Sequence, residues 1–344
     1  MQTDMTVVQL QADYLNQLKH KLLSHPQWRA VQSICSTLTS QGFQCCLVGG
    51  SVRDYLLNLT PGDLDLVTDA TPEQIRPLFD RTLEMGVRFG VSQIVLNEDV
   101  IDLATFRSED QYFDGRHPER ILFSTMAEDF KRRDFTINSL YLDLKTWELH
   151  DFCHAFSDLQ QKILRTIGDA EKRFLEDHLR IFRALRFATR FELTIEPKTL
   201  QAIKTSAHLT QKLSKHRLTE EAKKSFQLDL RLNYLELLDQ LGLWSMLFQN
   251  VPYESLEITD PQIRHLIQKT TWVAFLAALY FKFSRTATAR LTRDQKLKEI
   301  EAFFPSLLLL KQEKKAILHI LEGGFETQRQ DPRIFREILA MTQI

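Results

Sequence analysis

The stretch CLVGGSVRDYLLNLTPGDLDLVT, residues 46–68, constrains the fold more than any other part of the sequence. An apolar run reaches two glycines, a helical segment follows, and two aspartates then alternate with leucines in a second apolar run. Apolar and alternating runs are typical of strands, and a glycine pair between a strand and a helix marks a tight turn. The stretch therefore predicts a strand–turn–helix–strand unit, which is a building block of α/β domains.

Asp63 and Asp65 stand two positions apart in the second strand, which we predict to span residues 63–68. Side chains at positions i and i+2 of a strand point to the same face of the sheet. Two adjacent carboxylates repel each other unless a cation lies between them, and hard oxygen ligands suit Mg2+. A turn that uses the aspartates only as caps is the competing interpretation, because Thr60, Pro61 and Gly62 precede them.

The remaining strand patterns also lie in the first part of the chain. We predict strands at residues 43–48, 63–68, 91–96, 100–106 and 139–144, and helices near 51–58 and 72–79. Beyond about residue 170, apolar residues recur at helical spacing. The predicted organisation is an α/β head with a mixed sheet (residues 1–145), a helical neck (146–210), and an all-helical body and tail (211–344).

The composition limits the environment in which the protein works. The net charge of the 344 residues is -1, so any affinity for a polyanion must come from local clusters. The cysteines show neither CxxC spacing nor a disulfide framework, and adjacent Cys45 and Cys46 are expected to be core residues that face opposite ways. No signal peptide is evident, and the longest apolar stretch, from Thr271, is too short to span a membrane. We therefore expect a reduced, cytoplasmic protein.

Two basic clusters accompany the acidic pair. The first is the run KRRD, in which Arg133 and Asp134 are followed by Asn138 one helical turn later. The second is a helical segment in which four arginines project within roughly 120° of one another with little compensating acid. Its members are Arg180, Arg183, Arg186 and Arg190. Such clusters favour phosphates or bases as ligands, although an exposed, solvated helix is the competing interpretation of each.

Asp177 and Arg180 are three residues apart and can act as a pair. A carboxylate accepts a hydrogen bond from an exocyclic amine, and a guanidinium donates to a neighbouring ring nitrogen. Cytosine and adenine both present an amine followed by a ring acceptor along that edge. Uracil and guanine present the opposite polarity there, and binding them would leave buried polar groups unpaired.

Together these clusters resemble the class II tRNA nucleotidyltransferase and bacterial poly(A) polymerase family, whose head is polymerase-β-like. The resemblance runs from about Phe43 to Lys198 and extends through residues 213–224. It rests on these ordered motifs: GGSVRD, DLDLVTDATPEQ, IDLATFR, KRRDFTIN, EDHLRIFRALRFATRF and LSKHRLTEEAKK.

The resemblance implies a role for each candidate residue. It implies Mg2+ as cofactor, held by Asp63 and Asp65 with Asp102 as a further acidic residue, and CTP, ATP and the 3′ end of tRNA as partners. The residues implied in nucleotide binding are Gly49, Gly50, Arg53, Arg133, Asp134, Asn138, Asp177, Arg180, Arg183 and Arg186. Among these, Gly50 and Arg53 match triphosphate-binding positions, and Arg133, Asp134 and Asn138 match the motif that recognises the sugar and selects ribose over deoxyribose. Asp177 and Arg180 match the amino-acid template that reads the incoming base. Residues 107–123 correspond to a loop that helps switch base preference from C to A.

The chain departs from the family pattern at two places. His154 and Ala155 replace a glycine pair that often follows the dipeptide DF, and Val91 and Ser92 replace the GT that often follows RFG. Addition of the complete CCA is the activity that the motifs favour. An enzyme that adds only the terminal A, a poly(A) polymerase, and a non-catalytic RNA-binding protein remain alternatives. The last would be expected to lack a metal carboxylate or a template residue, and all of these are present.

Overall fold

A computed structural model describes residues 6–83, 90–112, 118–284, 291–322 and 337–338. Two compact units divide the chain. Unit 1 comprises Met1–Asp177 with Thr194–Thr199, and unit 2 comprises His178–Leu193 with Leu200–Ile344. The boundary at Asp177 falls inside the segment that we predict to be the helical neck.

Unit 1 is built on an eight-stranded mixed sheet with the order β1-β10-β9-β2-β3-β6-β5-β4. Its strands are β1 Thr6–Val8, β2 Cys45–Val48, β3 Leu66–Thr68, β4 Thr82–Leu83, β5 Val91–Leu96, β6 Asp99–Thr105, β9 Tyr141–Asp143 and β10 Leu149–Asp151. Every neighbouring pair is antiparallel except β3 and β6, which run parallel. The predicted mixed-sheet α/β architecture is thus confirmed.

Two smaller strand pairs complete the strands of unit 1. Strands β7 Arg107–Tyr112 and β8 Pro118–Phe123 form an antiparallel hairpin, and β11 Ile163–Leu164 pairs parallel with β12 Thr194–Ile195. The hairpin covers most of the segment that the family resemblance marks as a switching loop. Its tip, residues 113–117, lies outside the described residues.

Within the described residues, unit 1 contains seven α-helices that precede α8. They are α1 Ala12–Leu23, α2 Trp28–Ser40, α3 Gly50–Leu56, α4 Pro72–Ile75, α5 Met126–Arg132, α6 Ala155–Gln160 and α7 Ala170–Glu176. The predicted helix at 72–79 is shorter than expected, because Pro77 cannot donate a backbone hydrogen bond and a 3-10 turn, Arg76–Leu78, takes over.

The two faces of the sheet are covered differently. Cys46 and its cross-strand partner Val67 belong to a buried apolar cluster on one face, together with Phe130 and Tyr141. Helix α2 packs against β2 and β6. Cys45 therefore faces away from Cys46, as predicted.

The expectation that the cysteines remain unpaired is wrong for Cys45. It forms a disulfide with Cys35 of α2, with a Cα–Cα distance of 5.4 Å. The sequence spacing gave no sign of this bond, because the two residues meet only when the helix folds back over the strand. Cys46 and Cys153 are free thiols.

Unit 2 is helical, as predicted for the body and tail. The helices from α8 onward are α8 Leu179–Arg190, α9 Pro197–Ser206, α10 Lys215–Phe226, α11 Arg231–Gln240, α12 Trp244–Leu247, α13 Pro261–Lys269, α14 Trp272–Phe283, α15 Arg293–Phe303 and α16 Lys311–Glu322. The apolar stretch from Thr271 forms α14, whose residues 274–281 are buried. Within the described parts of the chain, no helix has the length and apolarity needed to cross a membrane.

The two departures from the family pattern lie at the start of helix α6 and in strand β5. His154 has a φ of 61°, the left-handed conformation that glycine adopts most easily. The Asp151 carboxylate accepts hydrogen bonds from the backbone N–H groups of Cys153, Ala155 and Phe156, which hold the chain in this turn. Val91 and Ser92 continue strand β5 in register with β6.

The backbone at His154 predicts opposite effects of two substitutions. We expect His154→Gly to raise the free energy of unfolding by about 0.5–1 kcal/mol, because glycine enters the left-handed region without steric cost. We expect His154→Val to lower it by about 1 kcal/mol or more, because a branched side chain is disfavoured there. Urea unfolding of the full chain measures both changes.

Gln160 offers a matched control, because it is exposed and lies in the last position of helix α6. There, replacement by glycine is expected to lower stability. If glycine were destabilising to the same extent at both positions, the left-handed assignment at residue 154 would be contradicted.

Candidate functional site

Gly49 forms the predicted turn between β2 and α3, whereas Gly50 is already the first residue of the helix. Gly49 has a φ of 66° and a ψ of -128°, which a residue with a side chain rarely adopts. A Cβ atom at Gly49 would lie 3.5 Å from Nη1 of Arg133, and one at Gly50 would lie 3.4 Å from Nη2 of Arg53. The turn is therefore the place where two arginines of the candidate site approach the backbone.

Asp63 and Asp65 lie in a loop immediately before β3, and not inside the strand as the prediction for residues 63–68 stated. The hydroxyl group of Ser51 explains the late start of the strand. It donates to the carbonyl oxygen of Asp63 at 3.0 Å and accepts from the backbone N–H of Asp65 at 2.9 Å. These side-chain hydrogen bonds replace ladder bonds, and only the bond from Val48 N to Asp65 O, 3.1 Å, continues the pairing of β3 with β2.

The parallel register of β3 and β6 places Asp65 beside Asp102. Leu66 pairs with Leu103, so the preceding residues of the two strands are neighbours. Burial and the nearby carboxylates of Asp102 and Asp63 raise the pKa of Asp65 to about 6, although Arg133 and Arg53 act in the opposite direction. Asp63 and Asp102 are thus both close enough to Asp65 to repel its carboxylate.

These carboxylates fit a divalent cation. Asp102 is exposed and accepts a hydrogen bond of 2.9 Å from the side-chain amide of its cross-strand partner Gln93. In the residues that the structure describes, no three His, Cys, Asp or Glu side chains already converge as a metal cluster. Hard oxygen donors that repel the half-buried carboxylate of Asp65 are nevertheless suited to a divalent cation, because the charge of the cation removes the repulsion.

A hydrogen-bond chain joins Arg53 to the second predicted motif. The Arg53 guanidinium donates to Oδ1 of Asp54 from Nε at 2.8 Å and from Nη2 at 2.5 Å, and its Nη1 donates to Oδ1 of Asn138. The Asn138 side chain in turn donates to Oδ1 of Asp134 at 2.9 Å. One buried network therefore joins Arg53, Asp54, Asn138 and Asp134. Arg53 and Asn138 are 85 positions apart in the sequence.

Asp54 was not identified from the sequence as a site residue. Neighbouring positions on a helix do not face each other, so the spacing of Arg53 and Asp54 gave no reason to pair them.

Arg133 is held by two buried residues that the sequence prediction also missed. Its Nε and Nη2 donate to Oδ2 of Asp129 at 3.0 and 2.9 Å, and Nε also donates to the hydroxyl oxygen of Tyr141 at 2.9 Å. The Tyr141 hydroxyl donates to the same Asp129 oxygen at 2.7 Å. Burial opposes the charge of Asp129, but Arg133 and Arg132 outweigh it and hold the pKa of that carboxyl at about 2.

The helical i, i+4 spacing of Asp129 and Arg133 was a usable signal for this pair. Nothing in the sequence indicated Tyr141, which reaches the pair from strand β9.

The arginines of α8 belong to unit 2. Arg180 and Arg186 are buried, and Arg183 is half-buried. Nε of Arg186 donates to Oε1 of Glu221 in α10 at 2.5 Å, and its guanidinium lies 4.4 Å from the ring centre of Phe187. The expectation that these arginines lack compensating acid is therefore wrong for Arg186, because its partner comes from a helix 35 residues away.

Asp177 precedes α8 and belongs to unit 1. It ends helix α7 with an extended backbone, φ -145° and ψ 104°, whereas Arg180 lies in the first turn of α8. The three-residue spacing of the predicted template pair is therefore not the spacing of two positions on one helix.

Comparisons with protein families give two matches. Residues 45–165 match the family described as "Poly A polymerase head domain". Residues 192–253 match the family described as "Probable RNA and SrmB- binding site of polymerase A".

Curated relatives carry the name CCA-adding enzyme. The Staphylococcus epidermidis protein is 32% identical over 276 residues, covering 80% of this chain and 68% of the relative. The Leuconostoc citreum protein is 33% identical over 310 residues, covering 88% of this chain and 72% of the relative. The Streptococcus uberis protein is 41% identical over 208 residues, covering 60% and 51%. This chain thus spans from about half to about seven tenths of the length of these relatives.

Solved structures show the same fold. The Bacillus stearothermophilus CCA-adding enzyme in complex with CTP matches with a TM-score of 0.68 and 25% identity, covering 92% of this chain and 82% of that one. The Thermotoga maritima CCA-adding enzyme complexed with tRNA matches with a TM-score of 0.68 and 19% identity, covering 95% and 82%. At 19% identity, the second likeness concerns the fold alone.

Because the pKa of Asp65 is raised, we predict that replacing its carboxylate by a neutral amide stabilises the folded protein to an extent that depends on pH. The pKa is higher in the folded chain than in the unfolded chain, so the ionised carboxylate opposes folding above about pH 6 and ceases to do so below about pH 4. In EDTA, we expect Asp65→Asn to raise the free energy of unfolding by on the order of 2 kcal/mol at about pH 8, and by close to zero at about pH 4. Urea unfolding at the two pH values measures this difference.

The exposed residue Asp80 provides the control for this experiment. Asp80→Asn is expected to change stability little at either pH. A gain for Asp65→Asn that was equal at both pH values would contradict the proposed repulsion.

Because Asp129 is buried and paired with Arg133, we predict that Asp129→Asn strongly lowers the free energy of unfolding. The substitution keeps the shape of the side chain but leaves the guanidinium with less compensating charge, so we expect a loss of about 3 kcal/mol. Glu128→Gln is the neighbouring control, because the ion pair of Glu128 with Lys131 is exposed and its loss is expected to cost about 0.5 kcal/mol or less. Equal losses for the two variants, measured by urea unfolding, would show that the buried pair is no stronger than the surface pair.

Proposed function

The chain belongs to the family of CCA-adding tRNA nucleotidyltransferases and poly(A) polymerases, and from that premise we propose that it adds CCA to the 3′ end of tRNA. CTP and ATP are the nucleotide substrates, and no nucleic-acid template takes part. The observation that carries the proposal is the position of Asp65, which lies beside Asp102 and close to Asp63, next to a glycine turn that two arginines approach.

Asp63 and Asp65 are the residues that we propose to hold Mg2+, with Asp102 as a further acidic ligand. Bound Mg2+ would lower the pKa of the primer hydroxyl and neutralise charge on the triphosphate. The chain itself contributes the orientation of the carboxylates. Ser51 fixes the backbone at both aspartates, and Gln93 holds the carboxylate of Asp102.

The two arginines near the glycine turn are suited to the phosphates and ribose of the incoming nucleotide. Arg133 is oriented by Asp129 and Tyr141, and Arg53 by Asp54 and Asn138. A guanidinium that is already held in place loses little conformational freedom when it meets a phosphate oxygen. Gly49 and Gly50 leave room for the phosphates to approach the backbone, and Asp134 and Asn138 provide polar groups suited to the sugar hydroxyls.

Selection of the base is assigned to Asp177 and Arg180, with Arg183 and Arg186 as adjacent nucleotide-binding residues. A carboxylate and a guanidinium together complement the amine and the ring acceptor that cytosine and adenine share. The ion pair of Arg186 with Glu221 anchors helix α8 to α10 and so fixes the helix that carries Arg180.

Unit 2 is proposed to bind the acceptor arm of tRNA. Residues 192–253 match an RNA-binding family, and the Thermotoga maritima protein of the same fold was solved with tRNA. Contacts to the backbone and shape of an RNA helix do not require a fixed sequence, which suits an enzyme that serves every tRNA. We place the protein in the cytoplasm, where tRNA and nucleoside triphosphates occur together.

Extension of defined tRNA ends tests the proposal. The purified full chain is incubated with Mg2+, CTP and ATP, separately and together, and with tRNA transcripts that end at the discriminator base, at C or at CC. Products are resolved to single-nucleotide length. We expect all three transcripts to be completed to CCA, and Asp65→Asn to reduce the rate by about a hundredfold or more. Asp80→Asn, the exposed control, is expected to retain activity.

Other outcomes identify other activities. Extension of only the CC-ending transcript would indicate an A-adding enzyme, and long A tails on unrelated RNA would indicate a poly(A) polymerase. Absence of extension by a chain that still binds tRNA would contradict the catalytic proposal.

A further inference from the structure

The segment before the matched family domain reaches the loop that carries the acidic pair. Helices α1 and α2 lie outside the match, which begins at residue 45, and the turn between them contains His25, Pro26 and Gln27. We propose that Gln27 is a positioning residue, whose side-chain carbonyl fixes the backbone between Asp63 and Asp65 and so orients both carboxylates toward the divalent cation. This inference rests on the proposed function.

The central contact is a hydrogen bond from the backbone N–H of Leu64 to Oε1 of Gln27, 2.9 Å. Leu64 is the residue between the two aspartates, and only 1% of it is exposed. A buried backbone N–H without an acceptor is strongly unfavourable. Gln27 therefore holds the loop at a point where no strand or helix hydrogen bond is available to Leu64.

His25 makes a second contact from the same turn. Its Nδ1 accepts from the backbone N–H of Gln27 at 3.2 Å, so the hydrogen of the neutral ring resides on Nε2. That nitrogen lies 3.2 Å from the carbonyl oxygen of Pro61, to which it donates. The buried imidazole thus connects the start of the acidic loop to the residue that holds its centre.

Side chains hold the acidic loop from two sides. Ser51 of α3 binds the carbonyl oxygen of Asp63 and the N–H of Asp65, and Gln27 binds the N–H of Leu64 between them. Three main-chain polar groups in succession are therefore paired with side chains. Loss of the bond to Gln27 would leave the two peptide planes that flank Leu64 held by Ser51 alone, and any rotation of these planes would move the adjoining carboxylates.

We expect loss of the Gln27 contact to weaken binding of the cation more than it lowers the stability of the fold. Two neighbouring carboxylates repel each other, so without a cation between them their positions depend on the backbone that Ser51 and Gln27 hold. Residues that orient metal ligands without touching the metal typically change its affinity by about 10–100-fold when they are replaced. Gln27 has this position relative to Asp63 and Asp65.

Binding of Mn2+ to the full chain, without RNA or nucleotide, tests the inference. Gln27→Met removes the acceptor and keeps an unbranched side chain, and Gln27→Asn keeps the amide but is one methylene shorter. For both we expect the Kd for Mn2+, measured from the electron paramagnetic resonance signal of the free ion, to rise about tenfold or more. Gln27→Glu retains an oxygen acceptor and is expected to bind at least as tightly as the wild type.

Gln161 supplies the matched control, because its side chain is exposed and its amide donates to the nearby Ser157 hydroxyl. Gln161→Met should bind Mn2+ like the wild type, and thermal unfolding in EDTA verifies that each variant is folded at the assay temperature. Wild-type affinity in both Gln27→Met and Gln27→Asn would overturn the inference and leave the proposed function intact. If the wild type itself bound no Mn2+, the proposed metal site would fail, and the inference with it.

Discussion

Asp65 and Asp102 lie side by side because strands β3 and β6 run parallel and pair residue by residue. This pairing is the exception in a sheet whose other neighbours are antiparallel. It requires the chain to leave the end of β3, pass through α4, β4 and β5, and return as β6 in the same direction. The proximity of Asp65 and Asp102 at the centre of the proposed site therefore results from the parallel pairing of β3 with β6. The glycine turn, the two arginines and the Ser51 and Gln27 contacts are arranged around it.

Three arginines of the proposed site have an internal acidic partner. Arg53 meets Asp54, Arg133 meets Asp129, and Arg186 meets Glu221. Pairs of this kind contribute little net stability, because removing both charges from water is costly. They do hold a guanidinium in one orientation before a ligand arrives, which is the condition under which electrostatic stabilisation of a reacting phosphate is most effective.

The sequence predicted the elements of the site better than the contacts between them. Strand β5 was predicted with its exact bounds and the glycine turn at its observed place, because apolar runs and glycine pairs are local signals. The start of β3 was misplaced because a serine from another helix replaces its first ladder bonds. The Cys35–Cys45 disulfide, the hydrogen bonds of Arg53 with Asn138 and of Arg133 with Tyr141, and the ion pair of Arg186 with Glu221 depend on residues brought together by folding. No pattern within one segment could reveal them.

The same long-range contacts have a consequence for synthesis of the protein. The hydrogen bond from Arg53 to Asn138 joins residues 85 positions apart. Strand β9, which follows Asn138 in the chain, pairs directly with β2. A nascent chain on the ribosome cannot complete this network until the segment through β9 has left the exit tunnel, since non-local contacts form only when both partners are free. Incomplete chains that end before β9 therefore lack the ordered arginine, and only a nearly finished unit 1 presents the assembled site.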